Sequence, residues 1–147
     1  MASYKHILIA SDLSKNSVVL CKKASSLARA LDAKLSIIHI VEHLPLMYAG
    51  GEFALPLEPQ LEEELADEAK QNLHQQVAHH KIPQKNQFVL VGDKQDEMLQ
   101  FVTKHEVDLV VVGNHPPRGL DHLLGTTTTS LLHNLPCDVL AIQVEES

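Results

Sequence analysis

Five short apolar runs punctuate the chain, at residues 7–10, 35–41, 88–91, 109–112 and 139–144, each rich in Val, Ile or Leu. Several are apolar at consecutive positions rather than alternating ones, which suits strands covered on both faces of a parallel sheet. Between the first two runs, Leu20, Ala24, Leu27, Ala28 and Leu31 recur at helical spacing, with Ser14 placed to cap the helix. Between the second and third, Leu61, Leu65, Ala69, Leu73 and Val77 step by four through a charged segment that Pro83 ends. The acidic residues Glu62, Glu63 and Glu64 sit near its start, where the helix dipole favours negative charge, and read as a solvated face. Met98, Leu99 and Val102 mark a third helix before Asp108, and residues 126–134 a fourth, stopped by Pro136. Strands that alternate with helices imply right-handed β-α-β crossovers. The expected fold is therefore α/β, an open doubly wound sheet with helices on both faces.

The 147 residues suit a single domain over 1–147 with one core. One long irregular stretch, residues 42–59, carries three prolines and the pair Gly50-Gly51. A loop of that length in so small a domain reads as a lid or partner surface, or as disorder. Twelve Lys and Arg against nineteen Asp and Glu leave a net charge of −7. That argues against a sequence-independent grip on nucleic acid or on an anionic membrane, both of which need a basic face. No apolar run reaches the ~20 residues of a membrane span. The opening MASYKHILIA does not have the pattern of a secretory signal, so a cytoplasmic location is expected.

In a doubly wound sheet, ligands bind beyond the carboxyl ends of the strands, where the strand order reverses. Two such ends carry suitable residues: Ala10, Ser11 and Asp12 after the first run, and Val112, Gly113, Asn114, His115 and Pro116 within and after the fourth. Downstream, Gly125 and the threonines Thr126, Thr127, Thr128 and Thr129 open the fourth helix. A helix start of this kind exposes N–H groups to an anion, although threonine there also serves simply as a cap. Asp12 reads equally as a ligand acceptor or as a turn residue leading into Ser14.

His79, His80, His105, His115 and His122 show no i, i+4 pairing with a third ligand, and read as solvated surface residues rather than a metal site. Cys137 abuts an apolar run and reads as a small hydrophobe; Cys21 on the first helix is open to an exposed, oxidisable reading, but no neighbouring pattern argues for a lowered thiol pKa. Nothing ties a Ser or Cys nucleophile to a particular His and acid.

The segments YKHILIASDLS from Tyr4, LSIIHIVE from Leu35, DLVVVGNH from Asp108 and RGLDHLLGTTTTSLLHNLPCDVLAIQV from Arg118 stand in the order and spacing of the universal stress protein family. The chain resembles that family nearly end to end, and its opening is most similar to the A-type members. The resemblance implies a Rossmann-like, five-stranded parallel sheet of order 3-2-1-4-5 and a homodimer formed through the C-terminal edge strand. Some members bind ATP, while others, notably A-type ones, do not. Binding members carry a motif G-x2-G-x9-G-[S/T]. Here Gly113 matches the first glycine and Gly125-Thr126 the last pair, with one residue fewer between and Pro116 at the second glycine. Proline offers no N–H to a phosphate and is locked near φ ≈ −65°.

By the same resemblance, adenine and ribose contacts fall on Asp12, Ile40, Val112 and Gly113, and phosphate contacts on His115, Pro116, Gly125, Thr126 and Thr127. Ala10, Ser11 and Thr128 complete the candidate set. His115 stands where binding members have a phosphate-binding Arg. The implied cofactor is ATP or another adenine nucleotide, with no metal beyond an accompanying Mg. The expected function is a non-enzymatic, dimeric nucleotide-binding or nucleotide-sensing stress protein with protein clients, binding neither nucleic acid nor membrane. The alternative is an A-type dimer without nucleotide that works through protein contacts. An ATP-dependent ligase or a deaminating hydrolase on a related fold would lack a general base beyond Asp12.

Overall fold

The computed structural model describes residues 3–42, 59–114 and 134–144. In chain order its elements are β1 (His6–Ala10), α1 (Asn16–Leu31), β2 (Lys34–Val41), α2 (Pro59–Gln76), a 3-10 turn (Gln84–Asn86), β3 (Gln87–Val91), α3 (Lys94–Lys104), β4 (Leu109–Asn114) and β5 (Asp138–Gln143). The five strands form one parallel sheet in the order β3-β2-β1-β4-β5. β1 lies at its centre, and Ile7, Leu8 and Ile9 are each 0% exposed. Consecutive burial requires cover on both faces. Ile7 and Ile9 join Ile37, Leu109 and Val111 beneath α1 and α2, while Leu8 joins Ile38, Val110 and Val112 beneath Met98, Phe101 and Val102 of α3. Burying each such side chain contributes ~1.5–3 kcal/mol, and this drives the sheet together.

α1 does not take Ser14 as its N-cap: Lys15 holds that position, in the right-handed helical conformation and with no side-chain bond to the helix. Ser14 Oγ accepts the N–H of Asn16 at 3.2 Å, where regular helix begins. It stops without glycine: Asp32 adopts the left-handed conformation (φ 54°, ψ 45°) and Ala33 N–H bonds Ala28 O at 2.8 Å. α3 ends in the same way, with Glu106 at φ 52° and Val107 N–H on Val102 O. Its N-cap is Asp93, which accepts the N–H of Asp96 at 3.0 Å.

Three further expectations change. The stripe on α2 is only half buried: Ala69, Leu73 and Val77 pack into the core, but Leu61 and Leu65 are exposed. The buried positions of the stripe lie in the second half of the helix and just beyond it, where α2 packs against β2 and β3. α2 also ends at Gln76, in a turn well ahead of Pro83. Cys21 is fully buried rather than exposed, and burial pushes its thiol up to about 11, as it does that of half-buried Cys137. Of the expected fourth helix only Asn134 lies among the described residues, and the long 42–59 stretch falls outside them except for Glu42 and Pro59.

The amino end of the sheet is fastened by side chains. Asp108 accepts the backbone N–H of Lys5 and of His6 at 2.9–3.1 Å, tying β4 to β1. Tyr4 donates its hydroxyl to Asp138 at 2.7 Å, reaching β5. The buried His6 ring bonds the His105 carbonyl through Nδ1 at 2.9 Å and Ser36 Oγ through Nε2 at 2.8 Å. Burial holds its pKa below the ordinary 6.5, although the bond to the His105 carbonyl opposes the shift.

Candidate functional site

β1 has β2 on one side and β4 on the other, so the chain reverses its direction of winding between β1 and β4. The crevice beyond their carboxyl ends is where a doubly wound sheet takes a ligand. Ser11 emerges from β1 with its N–H on Ile38 O at 2.9 Å, and its carbonyl accepts His39 Nδ1–H at 2.8 Å. The following turn is closed by side chains. Leu13 N–H donates to Ser11 Oγ at 3.0 Å, Ser11 Oγ lies 2.8 Å from Ser17 Oγ, and Ser17 Oγ donates to Asp12 Oδ1 at 3.2 Å. Asp12 Oδ1 also accepts Ser14 N–H at 2.9 Å. Asp12 is exposed at the strand tip while Ser11 and Ser17 are buried, so this chain of hydroxyls fixes the carboxylate in place.

On β4, Val112 is buried and Gly113 half-buried. Gly113 pairs with Ile142 of β5, and the next residue, Asn114, with Gln143. A Cβ added at Gly113 would meet Val144 at 3.6 Å and Leu20 at 3.8 Å, which is ordinary contact, and Gly113 is not in the left-handed region. Glycine there is therefore not demanded by the packing of the described residues. It leaves space at the strand tip for close approach by another group. Gly92, in contrast, is held at φ 154°.

Ile40 is buried on the α3 face of β2, as Val112 is on β4, and half-buried Ala10 packs against the same cluster. Their side chains belong to the core, which leaves backbone groups as what they offer to the crevice. The structure thus brings Ala10, Ser11, Asp12, Val112 and Gly113 to one end of three adjacent strands, with Ile40 near the end of β2. His115, Pro116, Gly125, Thr126, Thr127 and Thr128 lie outside the described residues.

Sequence reasoning missed three amides at this end of the sheet. Asn16 Nδ2 in the first turn of α1, Asn114 Oδ1 at the tip of β4, and Gln76 Oε1 are buried without a hydrogen-bond partner among the described residues. The other half of the Gln76 amide donates to Leu13 O at 2.7 Å. Buried polar atoms are normally paired, so a group of unpaired ones marks where a polar partner belongs. The signal available was Asn114 directly after Gly113, an amide at the very end of a strand. Among the described residues, no three His, Cys, Asp or Glu side chains are grouped to hold a metal ion. His105 is half-buried and stacks on Phe101 with ring centroids 4.1 Å apart, rather than standing in solvent.

Residues 3–143 match the universal stress protein family. Universal stress protein A homolog 1 of Coxiella burnetii is 38% identical over 143 residues, which cover 97% of this chain and 99% of the relative. The solved structure of UspA from Lactobacillus plantarum superposes with a TM-score of 0.66 at 24% identity, covering 97% of this chain and 99% of that one. A universal stress protein solved in complex with cAMP superposes with a TM-score of 0.62 at 22% identity, covering 97% and 98%. With the 3-2-1-4-5 parallel sheet and a family match that spans nearly all of its length, the chain belongs to the universal stress protein family.

Proposed function

We propose that this chain is a non-enzymatic, cytoplasmic stress-response protein, a single domain over residues 1–147 that binds or senses an adenine nucleotide such as ATP and works as a homodimer. The tip of β4 carries this reading: Gly113 leaves room that no packing contact requires, beside an Asn114 amide oxygen buried without a partner among the described residues. In this reading Asp12 faces the ribose or adenine, with the backbone of Ile40, Val112 and Gly113 alongside. His115, Pro116, Gly125, Thr126, Thr127 and Thr128, which lie outside the described residues, take the phosphates in this reading. A carboxylate accepts at about four positions, so the bonds from Ser14 and Ser17 do not by themselves exclude a ribose. A fold neighbour solved with cAMP supports an adenine ligand.

The dimer forms through β5. This edge strand leaves Leu140, Ala141 and Gln143 exposed, and an apolar edge without cover invites pairing with a second copy about a two-fold axis.

One observation favours a second reading, a dimer without nucleotide that acts through protein contacts: Asp12 already serves to close its own turn. Pro116 points the same way, since the missing amide costs about 1–3 kcal/mol, or roughly ten- to a hundredfold in affinity. Bound nucleotide is to be measured in freshly purified protein, followed by calorimetry with ATP and ADP on the wild type, Pro116→Gly and Thr126→Glu. Weak wild-type binding, tighter in Pro116→Gly and absent from Thr126→Glu, supports the nucleotide reading. Equal binding by Thr126→Glu moves the nucleotide elsewhere. Silence from all three establishes the second reading.

A further inference from the structure

Away from the Gly113 tip, a cavity of about 620 Å³ opens between α1 and the turn after α2, over the first residues of β2 and the approach to β3. Small-molecule sites usually measure about 300–1,000 Å³. Lys22 and Arg29 line it from α1, Lys34 from the start of β2, and Lys81 from the turn. These are four of the chain's twelve Lys and Arg, whereas among the described residues Asp32 is the one Asp or Glu that lines the cavity. In a chain of net charge −7 the expected excess would be acidic. None of the four cations makes an ion pair among the described residues; the pair that does form there, Lys70 with Asp67 at 3.9 Å, is on the exposed face of α2.

We propose that this cavity is a second binding site, taking a small ligand that carries two or more phosphate groups. Lys22, Ser25 and Arg29 stand at i, i+3 and i+7 on α1 and so share one face of the helix. Ser25 Oγ is buried on the cavity wall without a hydrogen-bond partner among the described residues. A phosphate oxygen satisfies that hydroxyl and removes the penalty of leaving it unpaired. The Arg29 guanidinium engages two phosphate oxygens at once, and the three lysines act as point charges around it. His79 and His80 add imidazole nitrogens to the wall.

Two features oppose an anion, the Asp32 carboxylate and the carbonyl end of α1, where the helix dipole is negative. An ion with a single charge gains little over them. A ligand with several phosphates reaches from Lys22 and Arg29 on one wall to Lys34 and Lys81 on the other, and meets four cations against one carboxylate. The site involves no residue of the proposed nucleotide crevice, so the two readings stand or fall separately.

Inorganic tripolyphosphate, with pyrophosphate and monophosphate for comparison, is titrated into the full chain at low salt while amide resonances are followed. The expected result is saturable movement of Ser25, Lys34 and Lys81, with affinity falling steeply from tripolyphosphate to monophosphate. Lys22→Gln/Arg29→Gln, two substitutions in α1 checked by circular dichroism, weakens binding at least about tenfold. Lys23→Gln/Lys70→Gln removes the same charge outside the cavity and changes affinity by less than about twofold, and Asp32→Asn tightens binding. Equal loss in both double variants shows diffuse attraction only and overturns the proposal. So does movement centred on Asp12 and Gly113, or no movement at millimolar tripolyphosphate.

Discussion

Gly113→Ala separates what the fold needs at the tip of β4 from what a ligand needs. The added methyl carbon would sit 3.6 and 3.7 Å from the two Val144 methyls and 3.8 Å from Leu20 Cδ1, all ordinary contact distances. The backbone of Gly113 is outside the left-handed region, so alanine adopts it without strain. Replacing glycine by alanine under those conditions stabilises by about 0.4–1 kcal/mol, by restricting the unfolded chain. The methyl contacts add a fraction of the ~0.8 kcal/mol of a fully buried methylene, since the position is half-exposed. A net gain of about 1 kcal/mol raises the melting temperature of a chain of this size by about 3 °C. A ligand drawn to the space above Gly113 loses that space, and crowding of this kind costs about 1–3 kcal/mol, or roughly ten- to a hundredfold in affinity. Differential scanning calorimetry and ATP titration on one preparation read both effects. A melting temperature lowered by several degrees would show that glycine is structural there. An unchanged ATP affinity would show that the ligand does not approach β4, and either result refutes the reasoning.

Four further outcomes are expected. Ile9→Asp places an unpaired charge where the native side chain is 0% exposed, costs several kcal/mol, and abolishes cooperative unfolding by circular dichroism. Asp108→Ala strips the acceptor from two backbone N–H groups on half-exposed ground, and destabilises by about 2–4 kcal/mol in urea titration, while Asp108→Asn loses less than half of that. His6 has a lowered pKa, so the unfolded chain takes its proton first; its contribution is complete above pH 6.5 and is lost as pH falls below that value, a slope in melting temperature that His6→Asn flattens. Val144 N–H bonds Asn114 O, and counting back by alternate residues turns the N–H of Ala141 to the open side of β5. Ala141→Pro therefore spares the β4 ladder and shifts sedimentation from dimer to monomer; an unchanged dimer moves the interface elsewhere.

The sheet was legible because burial on both faces leaves a direct mark. Ile7, Leu8 and Ile9 are consecutive apolar residues in a run too short for a helix, which suits a strand covered on both faces, and all three are buried. Strand order was legible only by resemblance, since periodicity says which segments are strands and not which lie side by side. The helix ends were hidden. Left-handed C-caps usually announce themselves as glycine, and here Asp32 and Glu106 fill both positions. The exposure of Leu61 and Leu65 was hidden too, because a step of four continues for as long as the helix does, whether or not a position is covered. At the site, Asp12 and Gly113 were visible as strand-end residues of the right type. Asn16, Asn114 and Gln76 were not, because an unpaired amide is defined by the partners it lacks, and only coordinates supply those.

Among the described residues, the unpaired buried amides lie at one end of the strand axis, and this bears on where the protein works. At the amino end of the sheet, Asp108, Tyr4 with Asp138, and His6 with Ser36 close their bonds within the chain, across β1, β2, β4 and β5. At the carboxyl end Asn16, Asn114 and Gln76 hold buried atoms without partners among the described residues. Buried polar groups left open cost stability, whereas a closed network rigidifies its surroundings. The carboxyl end has closed bonds of its own around Ser11, Asp12 and Ser17, so the unmet hydrogen bonds of Asn16, Asn114 and Gln76 stand beside an ordered turn, where the crevice opens. Ser25 breaks this division, an unpaired hydroxyl on the wall of the basic cavity at the starts of β2 and β3. The same reasoning that proposes a polar ligand at Asn114 thus proposes one at Ser25, and the four cations that line that cavity, without an ion pair among the described residues, set the sign of its charge.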